Sequence, residues 1–370
     1  MKMKRRVVLL LVLALLLSGC GASETKQETT AAAPTAEVTE PATEATTEPT
    51  TEPTTEPTEP APVYRNPLNG EIVEAPFTGR VFANTVSNME SNLPHVGVHH
   101  ADVIIETFAN TRNVVRCLAL FTDIESVDAI GSTRSTRPMF NDIAQHYDLI
   151  LTHAGGSDQA LRDARNRGIT HFNTDMWVVQ SAGASYRDKE HDRAYENTLY
   201  GIGSGIKAYA ESQGVPMTLE REYGLSFTEE GKPDGEAAEK ISIMMTYEGT
   251  KKETVMVYDA ELGKYVWNQY GKVMQDLLTE EVEAFTNVIV MFAEMSTNGI
   301  YHVADFNAGG TGYYANGGQI IPVTWTCDGD KEPFRFWTED GQELLLGVGN
   351  TYINITDVDS LVTWETAVSE

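Results

Sequence analysis

The sequence predicts an α+β protein, with an amino-terminal α/β domain over residues 63–215 and a mainly β carboxy-terminal domain over residues 241–358. Three observations predict it. Between residues 80 and 213, short apolar runs alternate with stretches of helical periodicity, as strands separated by helices do. After Ile241 the pattern changes to β-branched and aromatic runs broken by Gly, Asn and Asp, which reads as hairpins. Ahead of both, residues 21–62 contain no Leu, Ile, Phe, Tyr or Trp and cannot join a core.

The elements follow in order. Lys2, Lys4, Arg5 and Arg6 precede an apolar core of 11 residues, Val7 to Leu17, and small residues then lead to Cys20, which is the layout of a signal peptide over residues 1–20. The core is short of the roughly 20 apolar residues that span a bilayer. Leu17-Ser18-Gly19-Cys20 resembles the lipobox of bacterial lipoproteins. The resemblance implies lipidation of Cys20 and anchoring of the chain to the outer, extracytoplasmic face of the cell membrane. Residues 21–62 are rich in Thr, Glu, Pro and Ala, with a near-period-four repeat from Thr46 to Pro60, and are expected to be a disordered tether. Such a segment reaches on the order of 35 Å as a coil and at most about 120 Å when extended.

In the first domain, strands are expected at Arg80 to Val86, Val103 to Phe108, Val115 to Thr122 and Leu149 to His153, and helices at Pro138 to Tyr147, Ser157 to Arg167 and Gly203 to Gln213. Residues 216–240 are polar and read as a linker, and residues 359–370 as a tail. Strands in the second domain are expected within ISIMMTY, TVMVYDAEL, KYVWNQY, VIVMFAEM, YHVADF, GYYANGGQIIPVTW, FRFWTE and TYINIT.

Charge and cysteine usage narrow the function. The chain carries a net charge of −27, and residues 61–370 keep 22 of the 27 cations and 45 of the 54 anions, a net −23. Nucleic acid and anionic lipid are disfavoured as partners, because phosphates require a cationic footprint. Cys117 lies in the apolar run VVRCLALF and is expected as a buried free thiol, with a pairing to Cys327 unsupported. No zinc spacing occurs, and no metal or cofactor is expected. His99-His100-x-Asp102 has metal-binding residue types, but neighbouring side chains on a strand face opposite ways.

Two loops carry the candidate chemistry. Ser132-Thr133-Arg134-Ser135-Thr136-Arg137 leads into Pro138, a residue suited to the first position of a helix, so hydroxyls and guanidiniums gather where free amides point outward. His153 ends a strand, Ala154-Gly155-Gly156 follow, and Ser157 is the expected N-cap of the next helix. Ser132, Thr133, Arg134, Ser135, Arg137, His153, Gly155, Gly156 and Ser157 are therefore expected to form one anion pocket, with Arg112, Arg116 and Glu106 as additional members. The plainer reading pairs Arg134 and Arg137 with Glu106, Asp102 or other acids as structural ions. Arg187, His191 and Arg193 read as a solvated loop or as a loop closing over the pocket, and Tyr313, Tyr314, Trp325 and Trp337 as core.

Several stretches carry a family resemblance: ADVIIE from Ala101, IGSTRSTRP from Ile130, HAGGS from His153, YRDKEHDRAYENTLY from Tyr186, and GGTGYYANGGQIIPVTW with GQELLLGVGNTYINI. With these the chain resembles the YerB-like bacterial lipoproteins, built from an amino- and a carboxy-terminal domain of unknown function (family 3048), over nearly all of residues 65 to 355. The chain departs from the family at Gly131-Ser132-Thr133 and at Glu196-Asn197. The resemblance implies a compartment but no reaction. A lipid-anchored protein that binds an anionic cell-wall ligand or an envelope enzyme is the first expectation. The alternative is a hydrolase or transferase acting on peptidoglycan or a related anionic glycan, with Ser132, Ser135 or Ser157 activated by His153. No GxSxG, SxxK or HExxH pattern is present, which favours binding.

Overall fold

The structure, a computed structural model, describes residues 62–366. The signal peptide, Cys20 and the tether lie outside the described residues. The expected strands and helices of both domains are present, so the chain has an α+β fold with few helices. In chain order the elements that position the site are β1 (Phe82–Ser87), β2 (Val103–Asn110), β3 (Val114–Phe121), α1 (Pro138–His146), β4 (Ile150–His153), α2 (Asp158–Arg167), β5 (His171–Asn173), α3 (Trp177–Ser181) and α4 (Gly203–Ser212). The second half adds β6 (Glu236–Ala237), β7 (Lys240–Tyr247), β8 (Thr250–Asp259), β9 (Lys264–Gln269), β10 (Asn287–Ala293), β11 (Gly310–Asn316), β12 (Gln319–Thr326), β13 (Arg335–Thr338), β14 (Thr351–Asp357) and β15 (Leu361–Glu365).

An 11-stranded mixed sheet runs in the order β6-β12-β11-β10-β14-β2-β3-β1-β4-β5, with β13 added to β12. Both sequence domains contribute to it. β14, from the end of the chain, inserts between β10 and β2 and runs parallel to both. The expected linker, residues 216–240, carries two short strands: Ser226–Thr228 pairs with Leu345–Gly347, and β6 pairs with β12. Residues 361–365, expected within a tail, form β15, whose period-two sequence LVTWE places Val362 and Trp364 inward.

β15 is the edge strand of a second, six-stranded antiparallel sheet, in which β7, β8 and β9 form a meander. One face of the large sheet packs on this second sheet through Ile104, Phe108, Cys117, Ile241, Ile243, Met256 and Trp267. The other face is covered by α1, whose Met139, Phe140 and Ile143 meet Val103, Ile105, Leu118 and Leu120. β1 to β3 are buried on both faces and so read as continuous apolar runs rather than alternating ones. Cys117 and Cys327 are free and buried.

Pro138 opens α1 at a position where its missing N–H is harmless. Ser157 caps α2, accepting from the Ala160 amide, and Gly168 closes it in the left-handed region at φ 69°. Asp158 in the first turn with Arg165 and Arg167 in the last complements the helix dipole.

Candidate functional site

β1, β4 and β5 are parallel neighbours, so the segments after β4 and β5 leave the same carboxyl edge. That edge is the customary ligand side of parallel sheets. Residues 130–136 run beside it: the Arg134 amide donates to Thr85 O (2.7 Å), the Ala154 amide to Arg134 O (2.9 Å) and the Thr136 amide to Gly155 O (3.1 Å). The two loops singled out in the sequence are thus hydrogen-bonded side by side.

Three guanidiniums converge on this seam. Arg116, on β3, is 5% exposed and donates to the Ser135 carbonyl. Arg137 donates to the Thr136 carbonyl at 2.7 Å and lies 5.5 Å from the centre of the Tyr301 ring. Arg134 donates to the Glu196 carbonyl at 2.5 Å and to Asn197 Oδ1 at 3.1 Å. None of the three has a carboxylate within ion-pair distance among the described residues, so the structural ion-pair reading fails. Asp102 instead accepts from Thr122 and Asn69. Burial pushes the Arg116 guanidinium well below its ordinary range, and the charges of Arg137 and Arg134 push the same way. Burial, offset by Tyr301 and reinforced by Arg134, lowers Arg137; burial, offset by Glu196 and reinforced by Arg187, lowers Arg134. Arg137 Nε is buried with no hydrogen-bond partner. The cluster therefore carries unpaired positive charge and an unused donor, which an anion would satisfy.

Several expected members serve other purposes. The Ser132 hydroxyl is buried and donates to Asn197 O at 2.6 Å, and the Thr133 hydroxyl is buried against Ile130 O at 3.3 Å, so neither faces a ligand. The Gly155 amide donates to Asn173 Oδ1 at 2.8 Å. Gly155 takes φ +68°, and a side chain there would meet only Ser135 Oγ at 3.8 Å, so space lies open between these two residues. Gly156 makes room for the fold instead, since a Cβ there would sit 2.9 Å from Leu161.

His153 is fully buried, with Nδ1 2.7 Å from Gly155 O and Nε2 2.9 Å from His171 Nδ1. A carbonyl only accepts, so Nδ1 carries the proton and Nε2 accepts from His171. Burial, with His171 adding to it, lowers the His153 pKa to about 3. A neutral imidazole with both nitrogens engaged is poorly placed to take a proton from a serine, and Ser157 Oγ is occupied as a helix cap.

One additional member is corrected. Glu106 faces away from the arginines: in the β2–β3 register it stands opposite Cys117, while Arg116 stands opposite Thr107, so the two side chains leave opposite faces of the sheet. Glu106 is fully buried between the sheets, where it accepts from Lys252 (2.5 Å), Thr254 (2.9 Å), Asn354 (3.0 Å), Asn88 and Tyr352. Arg112 sits exposed in the turn between β2 and β3, where its amide donates to Asn110 Oδ1 at 2.9 Å. His99 turns from Asp102 toward Asp276 (3.3 Å) and Glu281 (3.1 Å).

Residues 187–197 pack along the site instead of hanging in solvent. Arg193 donates to Asn92 O (3.2 Å), Pro94 O (2.6 Å) and Ser132 Oγ (3.4 Å). Arg187 pairs with Asp175 at 2.6 Å and lies 3.9 Å from the centre of the Tyr195 ring. Beside Asp175, Trp177 stands 81% exposed. Asn173 and Trp177 were missed in the sequence, where Trp177 lies in the apolar run Met176-Trp177-Val178-Val179 and reads as core rather than as an exposed ring. Five cavities of about 330 to 730 Å³ lie elsewhere and are not lined by these arginines.

Comparison with known proteins places these observations. The family model described as Protein of unknown function (DUF3048) N-terminal domain matches residues 68–216, and the DUF3048 C-terminal domain matches residues 243–353. The Bacillus subtilis (strain 168) protein named "Putative lipoprotein YerB" is 27% identical over 303 residues, spanning 80% of this chain and 87% of that protein. A crystal structure of the YerB protein from Bacillus subtilis has the same fold, with a TM-score of 0.69 at 23% identity, over 81% of this chain and 99% of that one.

Proposed function

Since this chain belongs to the DUF3048 family through both its amino- and carboxy-terminal domains, a family without a stated reaction, we propose a role from its own residues: a lipid-anchored extracytoplasmic protein that binds an anionic cell-wall polymer. The observation that carries the reading is the cluster of Arg116, Arg134 and Arg137, held together without a carboxylate partner in a chain of net charge −27. Where acidic residues are in excess, cations left unpaired at the carboxyl edge of a sheet fit a ligand's charge better than the fold's own. A polymer suits the geometry better than a small metabolite. The arginines line none of those five cavities, and the exposed Trp177 beside the Arg187 loop offers a flat face on which a sugar ring can stack.

The anchor is supported from outside the described residues by the sequence Leu17-Ser18-Gly19-Cys20 and by the name of the Bacillus subtilis relative. Among the described residues no helix is long and apolar enough to cross a membrane. A hydrolase reading is less favoured, because His153 has neither a free nitrogen nor a serine partner.

Isothermal titration with teichoic-acid fragments and muropeptides, run on wild type and on Arg134→Gln with melts alongside, tests the proposal. Arg134→Gln is expected to lose on the order of 1.5–3 kcal/mol of binding, as for a charged hydrogen bond, with an unchanged melting temperature. The proposal fails if wild type binds none of these ligands, or if Arg134→Gln melts earlier while affinity per folded molecule is unchanged.

A further inference from the structure

A second surface, remote in sequence from the arginines, has the opposite chemistry. β6, β11, β12, the end of β13 and the edge strand β15 enclose a groove of about 730 Å³. Its apolar floor is Ile320, Ile321 and Pro322, with Tyr313 and Trp364 standing as a T-shaped aromatic pair 5.2 Å apart. Its rim is Asp234, Glu236, Glu339 and Asp340, and no lysine or arginine lines it. The ion pairs formed by neighbouring residues, Lys240 with Glu365 and Arg335 with Glu222, use none of the four. Glu236 accepts instead from the Trp364 indole N–H at 3.1 Å, which fixes the ring in the groove wall.

We propose that this groove docks a cationic, lysine-bearing polypeptide segment. Aromatic faces flanked by carboxylates attract an ammonium group through both the ring quadrupole and the charges, while the apolar floor accepts the methylene stem behind it. A neutral apolar partner would strand four carboxylates at its rim, and an anionic one would be repelled. The chain's own amino-terminal segment is also a poor occupant, because residues 21–60 carry nine glutamates and one lysine. A peptide is favoured over a free amine because β15 ends its sheet, leaving an edge along which an extended chain can lie beside Trp364.

The test is a fluorescence-anisotropy titration of labelled pentalysine, with pentaglutamate as control, into the full chain at physiological salt. Pentalysine is expected to bind and pentaglutamate not to bind. Trp364→Ala is expected to weaken pentalysine at least tenfold, and the exposed double change Glu339→Gln with Asp340→Asn several-fold. The double change keeps the test decisive should Trp364→Ala fail to fold. Glu261→Gln, an exposed charge in the turn between β8 and β9, is the control for general attraction to an acidic protein and is expected to leave binding unchanged. The proposal is overturned if Glu261→Gln weakens binding as much as the groove changes do, if the groove changes leave it intact, or if binding appears only after residues 367–370 are removed, which would make that tail the occupant.

Discussion

Replacing Lys252 with methionine is predicted to destabilise the fold severely while leaving ligand binding by the remaining folded protein intact. Lys252 is 5% exposed and its ammonium lies 2.5 Å from Glu106 Oε1 and 2.7 Å from Thr254 Oγ1. Removing one partner of a buried pair leaves an uncompensated charge, at a cost of about 3–5 kcal/mol. The lower end applies here. Asn88, Thr254, Tyr352 and Asn354 still surround the Glu106 carboxylate, so it is solvated by the protein even without the lysine. A loss of about 3 kcal/mol is a large part of the 5–15 kcal/mol typical of a domain. Urea unfolding followed by tryptophan fluorescence measures it, and Glu106→Gln with the double variant completes a cycle. The double variant is predicted to recover much of the loss, because the uncompensated carboxylate is then gone. A Lys252→Met protein within about 1 kcal/mol of wild type, or additive single effects, would refute the reasoning, since either means that the pair contributes no more than an exposed one.

Two further outcomes are expected. His153 has a folded pKa of about 3 against an ordinary value of 6.5, so its contribution to stability is present above pH 6.5 and is lost as pH falls toward 3, by up to about 1.4 kcal/mol per pH unit; urea unfolding of His153→Gln between pH 7 and 4 should show a shallower acid loss than wild type, and parallel curves would contradict it. Cys20→Ala should abolish incorporation of a radioactive fatty acid in cells, and label retained by that variant would remove the anchor from the proposal.

The sequence revealed elements better than partners. Strands buried on both faces announce themselves as unbroken apolar runs, and Pro138, Ser157 and Gly168 mark helix ends locally. Glu106 in ADVIIE was equally visible as a charge inside such a run. Its partner was not, because Lys252 lies 146 residues away and meets it only when the second sheet packs on the first. The same limit applies to the linker and the tail. Ser226–Thr228 and β15 are short, and what makes them strands is the neighbour that each pairs with, Leu345–Gly347 in one case and β7 in the other. At the loops, residue types indicated a charge cluster but not the orientation of each hydroxyl. Ser132 and Ser135 are three positions apart and look alike in sequence, yet only Ser132 is folded inward onto Asn197.

The position of β14 bears on how the chain reaches its destination. Residues 351–357 form a central strand of the large sheet, clasped between β10 and β2, although Thr107 and Ile355, paired across β2 and β14, are 248 residues apart in the chain. The sheet cannot close until residues 351–357 are available, and pairings of such long sequence separation form slowly. A chain threaded through a secretory pore from its amino terminus would therefore have no finished core to jam the passage. Only when residues 351–357 emerge would the strand that locks the fold be supplied, so that maturation is timed by length rather than by a separate unfolding step.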